Sequence, residues 1–452
     1  MCCLYEKDFY MFPNVRSFKL QRIIQISVFS LLTGCAASID ATKDVQSARN
    51  LAQKQLPVVI DESQAWQPGE SLSADAALAY AITHDALLKR DLSIIVQRRA
   101  EIAQAELPAN PTINGAFGIA IDGLSGAPII LQGMQGLSWL WTRPDRIAAA
   151  EQTLQQAILT AASRTIEVVA DVRTKHLTVS NYATLLELAE QDTTLARRAL
   201  EITIEHASAG EASGNAIDKA RISMLQSEHT SQQAVNKLAI ASLELLHAMG
   251  CPEVESVLDV IPLQLTNYTD YTDVTLLSFA IEQRLDLATK RAIITKRSAE
   301  IGLANPPLIS ASVMFNENFG DRQAILPGGS ITIALDGDAK ESVADSKMQQ
   351  SMFEYIDAMR TVVKEVRTLH ESFLSSTVEL DIDSQIVRVT ETSLERAVDA
   401  NKRGEFHPLQ LIPIQRELIK AKQHKLQDAL IVSTTVIALE RAVGGTFTGI
   451  YR

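Results

Sequence analysis

Aromatic residues make up only 5% of this 452-residue chain. Phe, Tyr and Trp dominate the energetics of compact cores, so a content this thin points to aliphatic packing between long elements. No stretch of 18 consecutive apolar residues occurs, which excludes a bundle of transmembrane helices. Only a lipid anchor or β-strands remain as routes into a membrane. Positive charge is also short: 42 Lys and Arg stand against 54 Asp and Glu, a net of −12. Nucleic-acid affinity rests on clustered cations, so no nucleic-acid partner is expected. Cysteine is rarer still, with four in all.

Three of those four lie at the start. Ile23 to Leu32 is a short apolar run behind Arg16, Lys19 and Arg22. A basic lead, a short oily core and small residues at its end describe a secretory signal peptide over 1–34. Glu6 and Asp8 fit that pattern poorly, so translation starts at either Met1 or Met11. Leu32-Thr33-Gly34-Cys35 has the form of a lipobox, which makes Cys35 the expected lipidation site and new N-terminus. The other reading is an ordinary signal with an incidental Cys. Acyl chains anchor by about 0.8 kcal/mol per buried CH₂. Ala36 after Cys35 resembles the outer-membrane address of Gram-negative lipoproteins. Removal of 1–34 takes four basic and two acidic side chains, so −12 becomes −14. Cys2 and Cys3 go too, leaving Cys251 as the single unmodified thiol, which bars an intrachain disulfide or a Cys-based zinc site. Cys251 follows Gly250 and reads as a surface or turn residue.

Residues 35–70, with Pro57, Pro68 and Gly69, read as an extended tether. A helical pattern from Ser71 to Glu106 is stopped by Pro108 and Pro111. The period then changes to two: Ile113, Gly115, Phe117, Ile119 and Ile121 alternate with small or polar residues, predicting a strand over about 112–121. A second, weaker strand is expected over about 129–141. Pro144 then opens a helix over about 145–209 that contains neither Gly nor Pro, and Gly210 and Gly214 break it before another over 214–249. After a linker, 253–273, the order recurs. A helical run over 274–303 stops at Asn305-Pro306-Pro307, as the first does at Asn110-Pro111. Strands follow over about 308–316 and 330–336, then helices over about 340–403 and 409–443, with 446–452 as a tail.

Gly210-Glu211 precedes Gly250 by 40 residues, and Gly404-Glu405 precedes Gly444 by the same 40. Order, lengths and matching stops together indicate an internal duplication, 71–252 and 274–445. Met352, Met359, Val366, Phe373, Leu380, Val387 and Leu394 recur every seven residues, a coiled-coil seam read as packing rather than as a metal or cofactor box.

Four strands with one oily and one small or polar face have the length of membrane-spanning β-strands. Open sheet edges do not survive in hydrocarbon and four strands cannot close, so a membrane location requires several chains to share a barrel. The competing reading is a soluble protein with two ordinary hairpins.

The duplicated plan resembles the TolC-like outer-membrane efflux proteins over about residues 70–445. The matching features are Ser71-Leu72-Ser73 leading to Leu78, Asn110-Pro111 before the first strand, Gly136-Leu137-Ser138 leading into Trp139, Arg143-Pro144-Asp145-Arg146, and Arg403-Gly404-Glu405. The resemblance implies a mostly α fold with membrane β: a homotrimer sharing a twelve-strand β-barrel above a long periplasmic α-barrel. It implies a passive channel-tunnel of a tripartite efflux or secretion system in the outer membrane of a Gram-negative bacterium. The partners would be a periplasmic adaptor, docked at Gly210, Glu211, Gly404, Glu405 and His407, an inner-membrane pump, and outer-membrane lipid.

Two departures stand out. Family members often carry acids six and nine positions after the second tip glycine, where this chain has Gln410 and Pro413; Pro408 and Pro413 also argue against a regular helix there. The fourth strand ends in Ala334-Leu335-Asp336-Gly337-Asp338 rather than the more usual proline-aromatic turn.

No catalysis, cofactor or metal is expected. None of the eight His residues has a metal spacing, and no phosphate loop, nucleophile elbow or dinucleotide fingerprint occurs. His84, His176, His206, His229, His247, His370 and His424 lie singly on helical runs and read as solvated or interfacial. His407, beside Glu405, is either a turn residue or an adaptor contact. Asp381 and Asp383 are two apart on a helix, do not face each other, and read as solvated or pore-lining, as do Asp336 and Asp338. The rival to a channel is a non-transporting coiled-coil envelope lipoprotein serving as a spacer or scaffold; a lipid-anchored enzyme is more distant.

Overall fold

The computed structural model describes residues 39–56, 60–117, 129–251, 258–262, 271–304, 308–317, 323–332 and 336–445. The chain forms two units, Met1–Asp40 and Ala41–Arg452. Only Ile39 and Asp40 of the first are described, so the signal peptide and Cys35 lie outside the described residues, as does the tail 446–452.

The second unit does not begin as the expected tether. Thr42–Gln55 is a helix, α1. Its inward face is built from Ala48 and Ala52, both nearly inaccessible, whose small side chains let it lie close to its neighbours. Arg99 clamps it, with Nε and Nη2 each donating at 2.6 Å to the carboxylate of Asp44. After a short 3₁₀ turn, Glu62–Gln64, Trp66 is buried with its indole N–H donating to the Glu70 carbonyl at 2.9 Å. Leu72 then forms a parallel bridge with Val260. Pro68 and Gly69 mark a turn between docked pieces, not a free linker, and Pro57 lies outside the described residues.

Each expected opening helix is in fact two. In the first repeat these are α2 (Ala74–His84) and α3 (Ala86–Glu106); in the second, α6 (Asp273–Gln283) and α7 (Leu285–Leu303). Asp85 serves both sides of the first break: its N–H donates to Ala81 and its carboxylate accepts from the Leu88 N–H at 2.6 Å. Arg284 occupies the second break and fastens it through Asp286, Glu365 and the carbonyl of Ala442.

The strands form one antiparallel sheet in the order β1 (Thr112–Phe117), β2 (Ile129–Gly136), β3 (Leu308–Glu317) and β4 (Gln323–Thr332). Residues 118–121 of the first expected strand lie outside the described residues. β2 stops at Gly136 instead of 141, because α4 (Trp139–Ser208) already begins ahead of Pro144, its first carbonyl bonds running to Leu137 and Ser138. β4 begins earlier than the expected 330, with Pro327-Gly328-Gly329 inside it. It is an edge strand, where a missing N–H and absent side chains cost the sheet least.

Four long helices complete the unit: α4 of 70 residues, α5 (Gly214–Met249) of 36, α8 (Gly337–Lys402) of 66 and α9 (Pro408–Ala442) of 35. At 1.5 Å per residue α4 runs about 105 Å. α8 starts three residues before the expected 340. The two repeats close alike. A Cβ on Gly250 would stand 3.2 Å from the His84 carbonyl, at the break of its own repeat, and one on Gly444 would stand 2.9 Å from Arg284 N, at the break of the other.

The largest core cluster joins α2, α4 and α5 through Leu72, Leu78, Val169, Leu245, Leu246 and Met249. Cys251 is part of it and buried, not a surface residue. A second cluster joins α6, α8 and α9 around Leu276, Val366 and Leu439; a third seats α1 on α3 and α4. His176 also departs from expectation. It is wholly buried, with Nε2 donating to the Leu72 carbonyl at 3.1 Å, and burial holds its imidazole below the ordinary histidine range, outweighing that bond and Asp75. His370 is likewise buried. Along the heptad seam Val366, Phe373 and Val387 are buried, and Met352 alone is exposed. No described strand residue belongs to any core cluster.

Candidate functional site

The two turns singled out in the sequence are built alike. Past α4, Gly210 adopts φ +80°, and the Glu211 N–H reaches back to the His206 carbonyl at 2.8 Å. Past α8, Gly404 adopts φ +79°, and the Glu405 N–H reaches the Ala400 carbonyl at 3.0 Å. Both are left-handed helix caps, a conformation that glycine adopts without steric penalty. A Cβ at either would meet nothing within 4 Å, so backbone conformation and not crowding selects glycine.

Beyond the second turn, α9 opens despite its prolines. Pro408 is the first helical residue, where its missing N–H would have no partner anyway. Pro413 gives up one bond near the helix start. His407 caps the helix: its Nδ1 accepts the Leu409 N–H at 3.1 Å, while the Gln410 side chain accepts the His407 N–H at 3.1 Å. This reciprocal pair is a capping box. Asn401 fastens the turn from the other side by donating to the Phe406 carbonyl at 2.6 Å. Arg403 and Glu405 form an exposed ion pair at 3.1 Å.

The structure brings the two turns together. The rings of His206 and His407 meet edge to face, with centroids 5.0 Å apart and planes at 87°. His206 Nδ1 also lies 3.0 Å from a carboxylate oxygen of Glu211. Sequence reasoning placed His407 and Glu211 here but left His206 on a helical run. The usable signal was its position, four residues before Gly210.

Farther along the hairpins, Arg416 of α9 forks onto Asp192 of α4 at 2.7 and 2.9 Å and also reaches the hydroxyls of Ser223 and Ser227 of α5. Ser227 donates to the same carboxylate at 2.7 Å. Burial works against the Asp192 charge, but the bonds from Arg416 and Ser227 outweigh it and hold the carboxyl below its usual range. On the opposite hairpin, Asp383 pairs with Asp428 of α9 instead of Asp381, which accepts from Gln385 at 2.8 Å. Burial first, then Asp383 and Glu379, push the Asp428 carboxyl up. Among the described residues no group of three or more His, Cys, Asp or Glu is placed to hold a metal, and no described helix is long and apolar enough to cross a membrane.

The long helices lie in the order α5-α4-α9-α8. The two outer ones carry bare apolar residues: Ile222, Leu225, Ile240 and Leu243 on α5, and Phe353, Val378, Ile382 and Val389 on α8. In the sheet, β1 and β4 are the outer strands. The register sets Ile113, Leu131, Val313 and Ile331 on one face, and all four are exposed, Ile113 at 76% and Ile331 at 72%.

Solved structures share this arrangement. A membrane protein from Pseudomonas aeruginosa is 17% identical with a TM-score of 0.69, the match covering 86% of this chain and 98% of that one. The outer-membrane channel OprN is 14% identical with a TM-score of 0.68, covering 87% and 96%. The Campylobacter jejuni CmeC outer-membrane channel is 13% identical with a TM-score of 0.68, covering 86% and 93%. The chain has the TolC-like channel-tunnel fold. No protein-family model and no curated protein matches the sequence. Of the two positions that departed from expectation, Gln410 is a capping side chain and Pro413 a helical residue.

Proposed function

We propose that the protein is a passive outer-membrane channel-tunnel, active as a homotrimer and serving a tripartite efflux or secretion system. One observation carries the reading: the unit ends in unfinished edges twice over. The sheet has two open outer strands and an exposed apolar face, and the helical wall has two outer helices with bare apolar stripes. Exposed apolar patches of this extent mark interfaces, and open edges are not tolerated in lipid. Joining β4 of one copy to β1 of the next, and α8 to α5, closes both layers at once; three copies make a twelve-strand barrel, above the eight-strand minimum. A coiled-coil spacer would leave the sheet's apolar face without a purpose.

In this reading Cys35 is lipidated and anchors the N-terminus in the outer membrane. The turns bearing Gly210, Glu211, Gly404, Glu405 and His407 face the periplasm and dock the adaptor, through which an inner-membrane pump delivers small molecules or ions. The chain contributes a wall and turns, not catalysis. Images of detergent-purified particles should show a three-fold tapered tube, and deletion should sensitise cells to a subset of toxic compounds. A monomer in mild detergent overturns the reading. For the anchor, Cys35→Ala should abolish acylation seen by intact mass.

A further inference from the structure

We infer that copies of the chain join α8 to α5 in the register that α4 and α9 already use within one chain, and that Ile386 and Ile222 select the partner there as Asp192 and Arg416 do inside the chain. The inference rests on the trimer proposed above and adds which residues meet across its seams.

The duplication holds residue by residue. Val168-Val169, Asp171-Val172-Arg173-Thr174 and His176 of α4 recur on α8 as Val362-Val363, Glu365-Val366-Arg367-Thr368 and His370, all 194 positions on. Gly210 and Gly404, and Gly250 and Gly444, keep the same interval. Burial follows it: Val172 and Val366, His176 and His370, Thr193 and Val387, and Leu245 and Leu439 are buried in both repeats. So α4 corresponds to α8, and α5 to α9.

The places where burial fails to correspond are the informative ones. α9 lies between α8 and α4, and Ile419 and Ile437, about five turns apart on one face of it, are buried. Their equivalents on α5, Leu225 and Leu243, are 53% and 60% exposed, because α5 has α4 on one side and no long helix on the other. Likewise Leu188, Asp192 and Leu195, half-buried on α4, become the exposed Ile382, Ile386 and Val389 on α8. The bare residues therefore repeat the α4–α9 seam, where Arg416 forks onto Asp192 and where Leu195 and Ile419 line one groove.

Carried to the next copy, that register sets Ile386 against Ile222 and Val389 beside Leu225. It also sets Ser375 opposite Gln232, where Asn181 donates to the Leu426 carbonyl in the seam inside the chain. The exchange of charge for apolar surface sorts the partners. The hairpins are alike, so during assembly α4 could meet the α5 of another copy, and α8 its α9. The first mismatch sets Asp192 against Ile222, and the second sets Ile386 against Arg416. Each leaves a charge facing an apolar side chain, which is costly. Nearer the junction the correspondence stops: Arg173 pairs with Glu440 of α9, but Arg367 with Asp273 of its own repeat. The inference is confined to the hairpins.

Full-length protein in mild detergent, sized by light scattering and treated with a short bismaleimide, tests the register. The parent protein is the blank, since Cys251 is buried. Ile222→Cys combined with Ile386→Cys should shift the chain to covalent dimer and trimer on a denaturing gel, and either change alone should not. Ile240→Cys combined with Ile386→Cys, displaced about 27 Å along α5, should not cross-link. Ile386→Asp should raise the protein concentration needed for assembly about tenfold or more, as an unpaired charge at an apolar contact. Adding Ile222→Arg should recover assembly. A trimer by size that cross-links only at the displaced pair, or not at all, overturns the register and leaves the channel reading standing. Assembly unchanged by Ile386→Asp, or not recovered by Ile222→Arg, overturns the selection. A monomer overturns the trimer reading itself, and the register with it.

Discussion

The junction of the molecule and its distal hairpins are held by different forces. At the junction, Leu72, Leu78, Leu245, Leu246 and Met249 are at most 2% exposed and belong to one continuous cluster. Toward the turns, the one distal cluster is Val387, Leu418 and Ala421 with Leu394 against it. A single row of helices has little interior to fill, with Ala189, Ala196 and Ile412 among its few buried apolar residues, so apolar burial alone does not fix its register. Directional polar ties do so instead: Arg416 joins three helices through Asp192, Ser223 and Ser227, and His206 meets His407 at the end. Stability sits in one region, and the surfaces that docking would use sit in the other, where local opening is cheapest.

The sharpest way to break this comparison is to make one truncation in both regions. Leu245→Ala removes a side chain with 0% exposure from the large cluster and should cost about 2–5 kcal/mol, seen as a large drop in the apparent unfolding midpoint at a fixed scan rate. Leu418→Ala, at 9% exposure beside a thin cluster, should cost about 1–2 kcal/mol, because its surroundings collapse more readily. Equal losses would mean that the hairpins hide a core as demanding as the junction's.

Next in size is the ionic tie. Arg416→Ala leaves the mostly buried Asp192 carboxylate without its fork and should cost about 2–3 kcal/mol, confined to the hairpins. Proteolytic nicking near the 210 turn should quicken while the junction midpoint holds. Adding Asp192→Ala should restore part of the loss, since the orphaned charge is then gone. A drop at the junction of the same size would show that the two regions do not divide the work.

Local rules carried much of this into the sequence. The 40-residue glycine spacing, the alternation in the strands and the Gly-free helical runs place the duplicated units and both turns. Edges were less readable. Pro144 reads as a helix start, and Pro327 and Pro413 look like breaks, but all three lie inside elements, because Pro is penalised by position, and helix starts and sheet edges are the positions that forgive it. α1 was missed because the stretch is polar overall, although Val45, Ala48 and Ala52 recur at helical spacing and with Leu51 seat it on its neighbours. Arg416, Asp192 and Ser227 could not be joined from sequence at all: they are single residues on three helices, 224 positions apart at the widest. His206 fell between, local to a turn that was found but facing a partner 201 positions away.

The smallest expected effect tests whether electrostatics within the α8–α9 hairpin are tuned for tightness. Asp428 is pushed up by burial and by Asp383 and Glu379, so folding favours its neutral form. Its sign is therefore opposite to that of Asp192: the contribution is full below the ordinary Asp range and is lost as pH rises through the raised folded value. At neutral pH the two carboxylates repel across the hairpin. Asp428→Asn should then raise the hairpin's stability at pH 7 by a few tenths of a kcal/mol, discounted because the group is largely solvated. The gain should vanish in acid, below both pKa values, when the stabilities of wild type and variant are compared across pH. If the variant is weaker at pH 7, Asp428 makes a contact that its charge alone does not explain, and the hairpin is held more tightly than its thin core implies.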